Sequence, residues 1–210
     1  MRSSNEILEM LKSVGAVLTD DHFVGTSGRH MSVYVNKDAL YLHTQQTSEI
    51  CKEIALRHRG TDIEVVASPV LGGVILSQWI AYHLSEFKQK EVLAAYAEKT
   101  SDGGLAFTRG YDRVVRGKKV LVVEDTVATG GSLKKILNMV RAAGGIIVAA
   151  AVMVNRVPED INSKTLGVPF SALVDLPTPT YDASECPLCK QGVPVNAAVG
   201  HGEKWLASKH

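Results

Sequence analysis

The sequence predicts an α/β protein built on a mostly parallel sheet flanked by helices, and three observations carry that expectation. Short, largely apolar runs at Ile63–Ala67, Val92–Ala97, Val120–Val123 and Ile146–Val154 read as strands covered on both faces. Amphipathic segments stand between them, the clearest with Leu133, Ile136, Leu137 and Val140 at i, i+3, i+4 and i+7. Strand and helix alternate through the middle of the chain, the rhythm a parallel sheet needs because each crossover must return along a face.

In order along the chain, Ser3 and Glu6 have capping-box spacing, and Ile7, Leu8, Leu11 and Val14 form one helical stripe that Gly15 ends. From His22 to Val35 the pattern changes to short extended segments about the turn Ser27-Gly28-Arg29. A second helix is predicted over Thr47 to His58. After the strand Ile63–Ala67 come the loop Ser68–Gly73 and a helix apolar at Ile75, Trp79, Ile80 and Leu84. Gly103-Gly104 and a cluster of charges follow the strand Val92–Ala97. The strand Val120–Val123 leads through a polar loop into a helix from about Ser132 that Gly144 stops. Ile146–Val154 and Phe170–Leu176 complete the strands. The single domain is expected to have its core at about 41–175, with a small cap, or hood, from about 1–40 and 176–210.

The 210 residues are 45% hydrophobic and 21% charged with a formal net charge of +1, so no overall charge favours nucleic acid or a membrane surface. No stretch has the length of a membrane span, and MRSSNEILEM lacks the apolar region of a secretion signal. Three cysteines do not make a disulfide framework, which points to a reducing cytoplasm. Ligands of open parallel sheets bind at the carboxyl ends of strands, so the chemistry is expected in the loops Ser68–Gly73, Glu98–Arg116 and Glu124–Ser132.

The strongest signal is VLVVEDTVATGGS, Val120 to Ser132. A buried strand ends in Glu124 and Asp125, then passes through Thr129-Gly130-Gly131-Ser132 into an amphipathic helix. Glycines let successive backbone N–H groups converge on an anion, and a helix N-terminus adds a favourable dipole. Adjacent carboxylates suit two vicinal hydroxyls or a Mg²⁺ bound to them. Phosphate at one end and a diol at the other describe a ribose 5-phosphate. Neither G-x-x-x-x-G-K-[ST] nor G-x-G-x-x-G occurs.

This stretch resembles the 5-phosphoribosyl-1-pyrophosphate (PRPP) signature of type I phosphoribosyltransferases, and the chain is most similar to the bacterial orotate enzymes of that family. The resemblance implies that Glu124 and Asp125 hold the ribose hydroxyls, with Thr126, Val127, Ala128, Thr129, Gly130, Gly131 and Ser132 completing the PRPP loop. It implies that Leu71, Gly72 and Gly73 hold pyrophosphate through backbone amides, where many orotate enzymes have a nearby lysine. Glu98 to Lys119 carries Lys99, Arg109, Arg113, Arg116, Lys118 and Lys119 against Glu98, Asp102 and Asp112. It resembles the family's mobile catalytic loop, often supplied across a dimer interface, with Lys99 first and Arg109 second as catalytic cations alongside Asp125. The R-K-x-x-K-x-H pattern is absent.

Thr26-Ser27-Gly28-Arg29 and Tyr34-Val35-Asn36-Lys37-Asp38 look like the wall of an orotate pocket, with Arg29 and Tyr34 against the base. Arg156, after the long strand, matches the family's orotate-carboxylate arginine, a pairing that suits a planar guanidinium. Ala128 stands where a threonine commonly touches orotate. The implied reaction is PRPP plus orotate giving orotidine 5-phosphate and pyrophosphate, a step of pyrimidine (UMP) biosynthesis. Mg²⁺ is the implied cofactor, held through PRPP near Glu124 and Asp125 without dedicated protein ligands, and a cytoplasmic homodimer is the implied state. A purine or uracil phosphoribosyltransferase and a non-enzymatic PRPP sensor are the alternatives. Cys186-Pro187-Leu188-Cys189 is half of a four-ligand zinc site, with His201 the nearest third ligand in sequence and Cys51 far away. Ordinary thiols in a turn are the default reading, and a similar segment near the end of some bacterial orotate enzymes indicates kinship.

Overall fold

The computed structural model describes residues 1–25 and 27–208. Ser3 opens α1 (Ser4–Ser13) with the expected capping box, its side chain and that of Glu6 each accepting the other's backbone N–H. Short strands follow: β1 (Val17–Leu18), β2 (Phe23–Val24), β3 (His30–Met31) and β4 (Tyr34–Val35). They pair as two small antiparallel ladders, β1 with β4 and β2 with β3. Next come α2 (Lys37–Tyr41), α3 (Thr44–His58), β5 (Val65–Pro69), α4 (Gly72–Lys88), β6 (Leu93–Lys99), β7 (Leu105–Ala106) and α5 (Tyr111–Val115). The chain continues through β8 (Lys119–Val127), α6 (Gly131–Ala142), β9 (Ile146–Asn155), α7 (Ser163–Leu166), β10 (Phe170–Asp175), α8 (Pro187–Lys190) and α9 (Gly202–Ala207).

The main sheet has six strands in the order β10-β9-β8-β5-β6-β7. All neighbours are parallel except β7, which folds back on β6 as a hairpin. The pleat sends alternate residues to opposite faces. Leu121 and Val123 of β8 enter a core shared with α1, α3 and α4, while Val120 and Val122 enter the core shared with α6. The first helix is part of the main body: Ile7 and Leu11 are fully buried in the same core as Leu173, and the Ser4 hydroxyl donates to the Leu173 carbonyl. The β2–β3 hairpin and the C-terminal tail, both within the segments expected to form the cap, meet through their backbones at His30 and Tyr181.

Strand order reverses direction between β5 and β8. From β5 the chain steps outward to β6 and β7, and from β8 it steps the other way to β9 and β10. The loops leaving these two central strands part from each other and open a crevice at their carboxyl ends.

Candidate active site

That crevice holds a cavity of 570 Å³ lined by the ends of β5, β6 and β8 and the first turns of α4 and α6. Glu124 and Asp125 lie in the second half of β8, since the strand runs on to Val127 beyond the expected end at Val123. Being adjacent on a strand, they leave on opposite faces. Glu124 follows Val122 toward α6, where the Ser132 hydroxyl donates to Oε2 at 2.8 Å. Asp125 follows Val123 toward α2 and α4, where Lys37 Nζ lies 3.9 Å from Oδ2. Both line the cavity although only 6% and 7% exposed. Burial pushes both carboxyls above the ordinary range, Glu124 to about 7 with help from Asp125, and Asp125 to about 6 against the pull of Lys37.

The remaining surfaces suit an anionic, hydroxylated ligand. Gly130 takes a left-handed conformation (φ 74°) at the start of α6 and supplies no side-chain cap, and the first helical N–H, that of Gly131, makes only a long 3.5 Å bond to the Thr129 hydroxyl. At the start of α4, a Cβ on Gly72 would collide with Asp125 Oδ2 and stand 2.9 Å from the Tyr41 hydroxyl. The Thr126 and Tyr41 hydroxyls are buried and find no hydrogen-bond partner among the described residues. Such groups are costly unless a ligand or water satisfies them.

The expected residues divide as follows. Leu71, Gly72, Lys99, Glu124, Asp125, Thr126, Gly131 and Ser132 come together around the cavity. Gly73, Val127, Ala128, Thr129 and Gly130 lie outside its lining. Gly73 packs on Ser68, Val127 is a core side chain, and Ala128 and Thr129 are exposed on the loop. Of the six cations between Glu98 and Lys119, Lys99 alone reaches the cavity. Arg109 lies outside it, its Nε donating to Glu98 Oε1 at 3.2 Å. Lys118 and Lys119 pair with Glu64 and Asp62 at the opposite, amino end of β8. The glycine-rich segment is a tight hairpin whose Gly103, Gly104 and Leu105 form one wall.

Arg156, Tyr34 and Arg29 also stand outside the cavity lining. Arg29 is no base-facing cation: Nε and Nη2 donate to Thr180 and Nη1 to Asp182, so the tail holds its guanidinium. Tyr34 packs on Phe23 with ring centres 5.6 Å apart and against Gly200. Arg156, at the carboxyl end of β9, is half-buried with Nη2 3.1 Å from the Met31 sulfur and Nε without a partner among the described residues. Burial lowers its pKa, the mark of a cation lacking an anion. Thr26, first residue of the segment assigned to the base wall, lies outside the described residues. Lys37 and Tyr41, with Lys135 of α6, join the site without having been singled out as ligands. Lys37 and Tyr41 are the first and last residues of the five-residue α2, which is too short to carry a signal without the tertiary fold.

Residues 40–166 match the phosphoribosyl transferase domain family. The orotate phosphoribosyltransferase of a Thermoanaerobacter species is 35% identical over 190 residues, 90% of this chain and 94% of its own. That of Thermotoga maritima is 35% identical over 198 residues, 94% of this chain and 100% of its own. The solved orotate phosphoribosyltransferase of Mycobacterium tuberculosis H37Rv superposes with a TM-score of 0.64 at 23% identity, over 82% of this chain and 96% of that one. The chain belongs to the phosphoribosyltransferase family, among the orotate phosphoribosyltransferases. Among the described residues no helix is long and apolar enough to cross a membrane.

Proposed function

We propose that the protein transfers the 5-phosphoribosyl group of PRPP to orotate, giving orotidine 5-phosphate and pyrophosphate. The observation that carries the reading is the switch-point cavity, where Glu124 and Asp125 stand beside two helix N-termini. The uncapped start of α6 receives the 5-phosphate, Glu124 and Asp125 accept from the ribose hydroxyls, and the Leu71–Gly72 backbone faces the pyrophosphate.

The ring nitrogen of orotate bonds to C1 of the ribose as the bond from C1 to the pyrophosphate oxygen breaks, its electron pair leaving on pyrophosphate. Positive charge grows at C1 and negative charge on the leaving group. The chain meets the first with the two carboxylates and the second with Lys99 from the end of β6. The β6–β7 hairpin limits water on that side. Orotate already carries negative charge, and among the described residues no His or Cys lines the cavity, so positioning and charge stabilisation do the work. Arg156 is the partner for the orotate carboxylate, its unsatisfied Nε supporting that role.

A divalent cation fits beside Glu124 and Asp125, two buried carboxylates at the crowded Gly72 turn. When bound, Mg²⁺ supplies Lewis-acid neutralisation of the pyrophosphate oxygens. The working unit is a homodimer in a reducing cytoplasm, in keeping with the low cysteine count and the implied exchange of the 98–119 segment across an interface.

Incubation with PRPP, Mg²⁺ and each base in turn tests the acceptor. Orotate absorbance should fall only when PRPP and protein are both present. Turnover of adenine, hypoxanthine or uracil without loss of orotate would reject this reading.

A further inference from the structure

The cap brings together four side chains that the transfer reaction does not use. His22 precedes β2, His30 begins β3, Cys186 is the N-cap of α8 and Cys189 lies within it, in the C-terminal tail. One ligand atom from each lies within 4.8 Å of all the others. His22 Nε2 is 2.7 Å from His30 Nδ1 and 3.7 Å from each sulfur. Cys189 Sγ is 3.4 Å from His30 Nδ1. His22, His30 and Cys186 are buried and Cys189 half-buried.

We propose that His22, His30, Cys186 and Cys189 form a structural Zn²⁺ site. Zinc is held tetrahedrally by two cysteines and two histidines at about 2.3 Å (sulfur) and 2.0–2.1 Å (nitrogen), which places neighbouring N and S ligands about 3.6 Å apart. Three of the four N···S separations, 3.4 to 3.7 Å, already have that spacing. The two imidazole nitrogens need to part from 2.7 Å to about 3.3 Å, a small rotation of either ring. His22 Nδ1 lies 2.8 Å from the Val193 carbonyl, so in the neutral ring it donates there and turns the Nε2 lone pair inward. A ligating imidazole is commonly oriented by such a bond from its other nitrogen.

The backbone is arranged for the same purpose. Cys186 opens a knuckle in which Lys190 N–H reaches the Cys186 carbonyl and Gly192 N–H, at a positive φ, the Cys189 carbonyl. On the other side the two histidines are held by the β2–β3 ladder, where Val24 pairs with His30. Segments more than 150 residues apart in sequence are thereby joined at one point. All four ligands come from the protein, which marks a closed site that stabilises structure and has no position open for catalysis. The third ligand foreseen from sequence, His201, is not in the converging group, and Cys51 is a core residue of α3. The site lies outside the transfer cavity, so it stands independently of the acceptor base.

Metal analysis of untagged protein purified under reducing conditions from zinc-supplemented cells tests the assignment. About one zinc per chain is expected, shielding two of the three thiols from a thiol reagent until a chelator is added. Exchange for Co²⁺ should give a thiolate-to-cobalt charge-transfer band and tetrahedral ligand-field bands. The variant combining Cys186→Ser with Cys189→Ser should lose the metal at least tenfold and melt earlier. Should it not fold, His22→Gln is expected to weaken the Co²⁺ spectrum at least tenfold. Wild-type protein that carries no zinc and gives no thiolate–cobalt band on titration would overturn the proposal. So would zinc retained in full by the double cysteine variant.

Discussion

Glu124 and Asp125 are adjacent in sequence but separated by the pleat, each meeting the first turn of a different helix. In the unliganded protein they repel one another in a buried setting, so their raised pKa values carry a sign for stability. A carboxyl whose folded pKa exceeds its unfolded value contributes stability below the unfolded value near 4 and loses it as pH rises through the folded one. The window here runs to about 6 for Asp125 and about 7 for Glu124. At pH 8 Asp125→Asn should therefore raise the melting temperature of the free protein, by an amount on the order of 1–3 kcal/mol in stability. The same variant should lose roughly 10²-fold or more in kcat/KM, because the amide no longer offers a negative oxygen pair to the ribose. Thermal denaturation and steady-state rates check the two halves, and a variant both less stable and fully active would contradict the account. These two acids were legible in sequence because paired carboxylates at the end of an apolar run are conspicuous. Arg29 misled because sequence shows a guanidinium but not the Thr180 and Asp182 groups that take its protons. Arg156 should behave otherwise: Arg156→Gln is expected to raise the KM for orotate by about 10- to 100-fold with PRPP affinity unchanged. Equal weakening of both substrates would deny it a specific role.

Among the elements, the long strands and amphipathic helices were read correctly because burial on one or two faces leaves a periodic trace. The errors lie where length is short or tertiary contact decides. The helices α2 and α5 span five residues each, too few for a period to emerge. The cationic run from Lys99 to Lys119 looked like one functional strip, yet the chain turns within it. Lys99 points to the cavity while Lys118 and Lys119 pair at the far end of the sheet. The first turn of α4 gives the element-scale test. Gly72→Ala adds one methyl whose nearest neighbours are Asp125 Oδ2, the Tyr41 hydroxyl and the Lys37 side chain, of which Asp125 and Lys37 line the cavity. Folding should survive, as judged by an unchanged far-ultraviolet spectrum, while kcat/KM for PRPP falls at least tenfold. Normal kinetics in this variant would show that the turn does not approach the ligand.

At the level of the whole molecule, the parallel sheet matters because its reversal between β5 and β8 leaves room where two helices begin. A buried carboxylate pair is unfavourable in such a place until something positive or proton-donating arrives. Sequence conveyed the order of elements and hence the location of this crevice. It could not convey the convergence of the tail with the β2–β3 hairpin, which depends on contacts across most of the chain. Titration calorimetry with PRPP and Mg²⁺ in buffers of different ionisation enthalpy bears on the central claim most directly. Binding should release protons as Glu124 and Asp125 ionise fully, and affinity should rise between pH 6 and pH 8. Absence of binding heat, or affinity and proton release unchanged when Glu124→Gln and Asp125→Asn are combined, would contradict it.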